Sequence, residues 1–253
     1  MGGGGLMPGT VAIAVESLTK KMRTTEALKG LTMSFSPGVI HGVIGPEGAG
    51  KTTFLRHLMG LLKADSGKIV FLREGQPVLF SDLRENIAYM PQTQSLYPEL
   101  SIHEHLEFFR TLFQVPDQLY HSRREKLLRM ARLEEFTDRL ASQLSGGMYK
   151  KLGLICSLLS SPKVLLLDEP TNGVDPLSRR DFWELLHELI QEEDILILVT
   201  TSYMDEALKC DEVHLLFDGK SLLEGTPDQI LKDRQCSTFD EVFLQYDAIE
   251  EAP

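Results

Sequence analysis

Three cysteines in 253 residues, Cys156, Cys210 and Cys236, are too scattered and odd in number for a disulfide framework or a metal-ligand spacing, so reduced thiols are expected. The chain also has no run of about 18 apolar residues, the length that crosses a bilayer, and shows no targeting region. Basic side chains are in deficit, with 26 Lys and Arg against 37 Asp and Glu. The resulting net charge of −11 argues against nucleic acid or anionic lipid as the main partner. Internal repeats are absent, and low complexity is confined to Met1-Gly2-Gly3-Gly4-Gly5, a start expected to be flexible and either a cloning remnant or native. With 42% apolar residues, the chain can bury the core of one globular module with internal subdomains.

Against that background, Gly45-Pro46-Glu47-Gly48-Ala49-Gly50-Lys51-Thr52 fits the phosphate-loop pattern G-x-x-x-x-G-K-[ST]. Glycines let backbone N–H groups turn inward around a phosphate, Lys51 neutralises its charge, and the Thr52 hydroxyl can ligate Mg²⁺. The flanks suit a strand–loop–helix unit: Val39 to Ile44 reads as a buried strand and Thr52 to Leu62 has helical apolar spacing.

A second strand, Val164-Leu165-Leu166-Leu167-Asp168, closes on two carboxylates, which a parallel sheet places at its ligand-binding edge. Asp168 would hold Mg²⁺ directly or through water, Glu169 could polarise an attacking water as general base, and Gln92 could sense or ligate the metal. Leu144-Ser145-Gly146-Gly147-Met148 precedes the apolar helical stretch Leu152 to Leu159, so it sits at a helix N-terminus, an anion site.

Taken in order, the phosphate loop, Tyr89-Met90-Pro91-Gln92, Leu144-Ser145-Gly146-Gly147, Leu167-Asp168-Glu169-Pro170 and Gly173-Val174-Asp175-Pro176 resemble an ABC transporter ATP-binding subunit over about residues 11 to 245. Within that family, Gly45 to Thr53, Leu-Ser-Gly-Gly-Met and Tyr203-Met204-Asp205-Glu206-Ala207 resemble ATPases of bacterial drug-export systems that pair with separate six-helix permeases. The resemblance implies an α/β fold: a P-loop NTPase of ABC type, its RecA-like core joined by an antiparallel β subdomain and an inserted α-helical subdomain. It also implies ATP and Mg²⁺ as cofactors, a membrane permease as partner, and a place on the cytoplasmic inner face of the plasma membrane. Each site would need two chains, in a homodimer or a heterodimer with another ABC ATPase. Leu144 to Met148 would face the γ-phosphate held by the partner's loop, and Asp175 would contact the partner across the seam.

Three positions depart from the family pattern. Where look-alikes carry Thr-His-Tyr-Met-Asp-Glu-Ala, this chain has Ser202, so the histidine that contacts the γ-phosphate is missing. Loss of one preorganised transition-state donor predicts turnover slower by about 10²- to 10³-fold. Met22 stands where an aromatic residue usually stacks on adenine; its sulfur can still cover a ring face, with weaker affinity and base selectivity expected. Glu47 replaces a common asparagine and is tolerable if it points outward. Because Lys51, Thr52, Asp168, Glu169, Gln92 and the Leu-Ser-Gly-Gly element are intact, the chain could complete a competent site on a second ATPase while turning over its own ATP rarely. Some tandem look-alikes have this Thr-Ser-Tyr pattern in their first half and histidine in the second; here the partner half is expected on another chain or a removed segment. A mostly non-hydrolytic regulatory module is the alternative, and a soluble ABC ATPase is the third reading.

The remaining expectations concern organisation. Residues 1–10 form the glycine-rich start, 11–235 the ATP-binding domain with its helical insertion at about 96–160, and 236–253 a C-terminal helix, Phe239 to Tyr246, with a tail. Further strands are expected around Val11 to Val15, Thr32 to Phe35, Ile195 to Val199 and Val213 to Phe217. His103 and His105 invite a metal assignment, but no second ligand cluster lies nearby. Phe182, Trp183, Leu185, Leu186, Leu189 and Ile190 have the spacing of a core face. The stretch Gln92 to Leu100 links the nucleotide core to the insertion, so movement of Gln92 could reach a docked permease helix.

Overall fold

Six strands build the sheet that carries the phosphate loop: β3 (Ile40–Ile44), β6 (Ile87–Met90), β7 (Val164–Asp168), β8 (Leu196–Thr201), β9 (Glu212–Phe217) and β10 (Lys220–Gly225). The computed structural model describes residues 9–93 and 96–250, with side chains through Tyr246. Most of the expected flexible start, residues 1–8, and residues 251–253 of the expected tail lie outside the described residues. The sheet order is β10-β9-β3-β8-β7-β6, parallel except for the β10–β9 hairpin. Every residue of β3, β7 and β8 is buried, as their unbroken apolar runs require of strands covered on both faces. Because these strands are parallel, with Ile44 opposite Thr201 and Asp168 opposite Thr200, they deliver Gly45, Glu169 and Ser202 to one edge.

The second sheet is antiparallel, in the order β2-β1-β4-β5, from β1 (Val11–Met22), β2 (Thr25–Phe35), β4 (Ser66–Arg73) and β5 (Gln76–Val78). β1 and β2 run well past the expected Val11–Val15 and Thr32–Phe35. A register shift between Val15 and Leu18, with Ser17 at a positive φ of 47°, interrupts the alternation that marks a strand in sequence. One core fills the space between the two sheets around Phe35, Phe54 and Leu31. The other lies between the six-stranded sheet and the helices, around Trp183, Tyr120 and Leu186.

Among the described residues, seven α-helices accompany the strands. α1 (Lys51–Leu58) stops short of the expected Leu62 because the chain turns at Gly60, whose φ is 66°. Between β6 and β7 lie α2 (Ile102–Leu112), α3 (Asp117–Ala131) and α4 (Gly146–Leu158). α2 opens with a capping box in which Ser101 and Glu104 satisfy each other's backbone N–H groups. α5 (Pro176–Glu192) buries Phe182, Trp183, Leu185, Leu186 and Leu189, the face its periodicity marks. α6 (Pro227–Arg234) and β10 were not anticipated, since neither has a clear apolar period, and α7 (Phe239–Glu250) outruns its expected end at Tyr246. His105 uses both ring nitrogens inside the protein: Nδ1 donates to the Ser101 carbonyl at 2.8 Å, and Nε2 accepts from the Tyr97 N–H at 3.0 Å. Among the described residues, no helix is long and apolar enough to cross a membrane.

Candidate functional site

The loop from Gly45 to Gly50 joins β3 to α1 under steric conditions that only glycine meets at two positions. A Cβ on Gly45 would sit 2.0 Å from the Leu216 carbonyl oxygen; Gly50, at φ 104°, would meet the Ala27 carbonyl oxygen at 2.5 Å. Between them, Gly48 also has a positive φ, Ala49 is buried, and its N–H donates to the Pro46 carbonyl at 3.3 Å. Glu47 is exposed, so its carboxylate is not held inside the loop. Lys51 Nζ donates to the carbonyls of Gly45 at 2.7 Å and Pro46 at 2.8 Å, and pairs with Glu169 Oε1 at 3.1 Å. The free N–H groups of the first α1 turn stand at the end of the same loop. The Thr53 carbonyl accepts from His57 Nδ1, one turn further along α1, at 2.7 Å.

Asp168 is 1% exposed and satisfied on both oxygens: Oδ1 accepts from Thr52 Oγ1 at 3.0 Å and Thr200 Oγ1 at 2.8 Å, Oδ2 from the Tyr89 hydroxyl at 3.1 Å. Burial, with the Asp168 charge beside it, pushes the Tyr89 hydroxyl up to about 12, so it stays a donor. Glu169 is buried and held in the left-handed region at φ 44°, a conformation worth about 1–3 kcal/mol of strain that tends to accumulate where function needs it. Its N–H is anchored to the Thr200 carbonyl at 3.0 Å. Its Oε2 accepts from Gln92 Nε2 at 3.2 Å and Asn172 Nδ2 at 3.3 Å.

Ser202 is half-buried, one residue beyond β8, and the Thr201 carbonyl before it accepts from the Gly45 N–H at 3.2 Å. The next residue reaches back to the carboxylates, as the Tyr203 hydroxyl donates to Asn172 Oδ1 at 3.4 Å. The Arg179 guanidinium lies 4.3 Å over the Tyr203 ring and is itself bonded to Asp205 and to the fully buried Glu206. Thr200, Asn172 and Tyr203 join the site without carrying a site role of their own in the sequence. Their signal is position: Thr200 and Asn172 stand two and one residues before the motif residues Ser202 and Gly173, and Tyr203 opens a motif itself.

Ser145 caps α4, its Oγ accepting from the Met148 N–H at 3.3 Å, while Ser145 and Gly146 are exposed and Leu144 and Met148 half-buried. A Cβ on Gly147 would sit 2.5 Å from Ser178 Cβ, so this glycine lets α4 close on the start of α5. Asp175, exposed, caps α5 by accepting from the Ser178 N–H at 3.0 Å, and that bond holds its carboxyl below the usual range. The Leu144–Met148 stretch and the Asp175 turn are therefore neighbours. Among the described residues, no hydrogen bond joins either of them to the phosphate loop, although Lys150 Nζ donates to the Gln92 carbonyl at 3.0 Å. Met22 ends β1 at 40% exposure, in the hairpin whose β2 strand backs Gly50 through Ala27.

Lys51, Thr52, Gln92, Asp168 and Glu169 are thus one connected cluster. A hydroxyl and a carboxylate at 3.0 Å are hard oxygen donors of the kind Mg²⁺ takes, and the glycine loop, lysine and helix N-terminus suit a polyphosphate.

Comparison with known proteins agrees with that chemistry. The ABC transporter family profile matches residues 28–172. The chain is 45% identical over 203 residues to the probable multidrug ABC transporter ATP-binding protein YbhF of Escherichia coli, covering 79% of this chain and 35% of that one. It is 36% identical over 223 residues to the Nod factor export ATP-binding protein I of Ralstonia nicotianae, covering 88% and 69%. The chain spans about a third of the length of several such curated relatives. In three dimensions it is similar to cbiO1 of Clostridium perfringens, part of the ABC transporter complex cbiONQ, with a TM-score of 0.79 at 30% identity over 88% of this chain and 91% of that one.

Proposed function

The chain belongs to the ABC transporter family as one of its ATP-binding ATPase domains, and from that premise we propose that it couples ATP binding and hydrolysis to export through a separate membrane permease. One observation carries the reading: Lys51, Thr52, Asp168, Glu169 and Gln92 converge at the sheet edge where β3 and β7 end. Lys51 and the loop N–H groups bind the β- and γ-phosphates, and Met22 covers the base. Thr52 and Asp168, with Gln92, would hold Mg²⁺, and the ion would neutralise charge on the phosphate oxygens. Glu169, fixed by Gln92 and Asn172, orients the attacking water and takes its proton.

The exposed Ser145–Gly146 step, unbonded to its own phosphate loop, suits completion of a partner's site in a homodimer or a heterodimer with another ABC ATPase. A cleft of about 1160 Å³ between β6 and the inserted helices, lined by Tyr89, Leu96, Phe109, Leu112 and Phe113, suits an amphipathic permease helix at the inner face of the membrane. Export of drug-like cargo is the direction supported by the name of the multidrug relative.

Ser202 favours a second reading, in which the chain is a mostly non-hydrolytic partner that completes the site of a second, active ATPase. Binding and steady-state hydrolysis of ATP by the purified chain, beside Glu169→Gln and Ser202→His variants at concentrations permitting dimerisation, separate the two. Robust turnover abolished by Glu169→Gln supports the powered homodimer; tight binding with negligible turnover supports the asymmetric pair. Co-fractionation with membranes tests the permease partner.

A further inference from the structure

At the sheet edge opposite the phosphate loop, two imidazoles and a carboxylate meet on one face. His41 on β3 lies opposite Glu212 on β9, and Val43 lies opposite His214, so the alternation of the strands turns His41, Glu212 and His214 the same way. His41 Nδ1 is 3.3 Å from His214 Nε2 and 3.4 Å from Glu212 Oε2, and the three ligand atoms lie within 4.8 Å of one another. A tetrahedral ion with bonds of about 2.0–2.1 Å to nitrogen and oxygen keeps its ligand atoms about 3.3–3.4 Å apart.

The remaining nitrogens are placed as metal-bound histidines place theirs, with the far N–H against a carbonyl or a carboxylate. His41 Nε2 lies 2.9 Å from the Ser36 carbonyl oxygen and 3.0 Å from the Ser36 N–H, and in the tautomer that donates to the carbonyl the Nδ1 lone pair is free to ligate. His214 Nδ1, buried and without a hydrogen-bond partner, faces Glu224 Oε2 at 3.5 Å. Charge points the same way. Around the two rings stand Glu212, Glu224 and Asp211. Among the described residues, neither Glu212 nor Glu224 has a lysine or arginine partner. Phe35, with its ring centroid 5.2 Å from His41 and 4.7 Å from His214, walls the core side, while Glu212 at 42% and Glu224 at 57% exposure open the other to solvent.

We propose that His41, His214 and Glu212 bind one divalent transition-metal ion of the zinc class, with solvent completing the coordination, and that the ion clamps β9 to β3 at the edge away from the nucleotide. Glu224 and the Ser36 carbonyl orient the two rings. The site is independent of ATP hydrolysis, so its failure would leave the nucleotide reading untouched.

The test is titration of the chelator-stripped, full-length chain with Co²⁺ or Zn²⁺ alone, in wild type, Cys236→Ser, Glu212→Gln and Glu224→Gln forms. Glu212 and Glu224 have exposed side chains, so these variants keep the fold, checked by unchanged ATP binding. The expected result is one equivalent of Co²⁺ with the visible absorption of tetrahedral nitrogen and oxygen ligation, unchanged in Cys236→Ser, and a rise in Tm with Zn²⁺. Affinity falls at least tenfold in Glu212→Gln and in Glu224→Gln. No saturable binding, or equal affinity in wild type and Glu212→Gln, overturns the proposal and leaves a metal-free pair of hydrogen-bonded histidines.

Discussion

Lys51 Nζ lies 3.1 Å from Glu169 Oε1, and both side chains are almost out of solvent, at 4% and 8% exposure. The cation expected to meet phosphate is thus tied to the carboxylate expected to activate water, each neutralising the other's buried charge. Lys51→Ala leaves Glu169 buried without its cation and is expected to destabilise the fold by about 3–5 kcal/mol, read by urea unfolding. Glu169→Gln keeps the shape and removes the base, so turnover falls by about 10²- to 10⁴-fold while nucleotide binding is retained. Parallel losses of binding and turnover in Glu169→Gln would mean that the carboxylate holds the loop rather than the water.

Ser202 follows the residue whose carbonyl anchors Gly45, so a longer side chain here starts beside the phosphate loop. Ser202→His is expected to raise turnover by about 10²- to 10³-fold, the range of one restored transition-state donor, with little change in the KM for ATP. Steady-state kinetics at saturating ATP reads it. An unchanged rate places the limiting defect elsewhere, for example in the incomplete site of a lone chain.

How much of this was legible in sequence depended on whether a residue's role is local. The loop from Gly45 to Thr52 and the strand closing on Asp168 are dictated by short-range sterics and by an unbroken apolar run, and both sit where the pattern put them. Thr200 bonds Asp168 only because β8 pairs with β7 in that register, which no local pattern records. His41 and His214 meet across 173 positions, in strands whose apolar neighbours mask them as core. β10 was missed for a related reason, since its pairing with β9 and not its composition makes it a strand.

Asn172 and Tyr203 form a strut behind the Glu169 carboxylate: Asn172 Nδ2 holds Glu169 Oε2 at 3.3 Å, and the Tyr203 hydroxyl holds Asn172 Oδ1 at 3.4 Å. Arg179 stacks on Tyr203 and binds the buried Glu206, so the strut is braced from α5. Asn172→Ala is expected to lower kcat by about tenfold without raising the KM for ATP, because displacement of about 1 Å at a reacting group can cost up to about a hundredfold. Tyr203→Phe keeps the ring stack and removes one long hydrogen bond, so it should show the same split more weakly. A rise in KM with kcat unchanged would mean that Asn172 serves nucleotide binding instead.

Glu193, just past α5, clasps α3 with charged bonds: Oε1 accepts from Arg123 at 3.0 Å and Lys126 at 3.1 Å, Oε2 from Arg123 at 3.2 Å. Arg123 also donates to the Leu158 carbonyl at the end of α4, so one guanidinium ties three helices. Burial alone would raise the Glu193 pKa, but the charge and hydrogen bonds of Arg123 and Lys126 outweigh it and hold the carboxyl below its usual 4.5. A carboxyl with a depressed folded-state pKa binds fewer protons folded than unfolded, so its contribution is present above about pH 4.5 and lost as pH falls through the folded value. Glu193→Gln should therefore cost about 1–3 kcal/mol at pH 7, the worth of hydrogen bonds to a charged group. The gap from wild type should begin to narrow below about pH 4.5, as the unfolded carboxyl takes up its proton, and close only below the depressed native value, where the folded carboxyl is protonated too. Urea unfolding of both proteins at neutral and acid pH reads the two values. An equal gap at both would assign the loss to packing at the α5 terminus rather than to the ion pair.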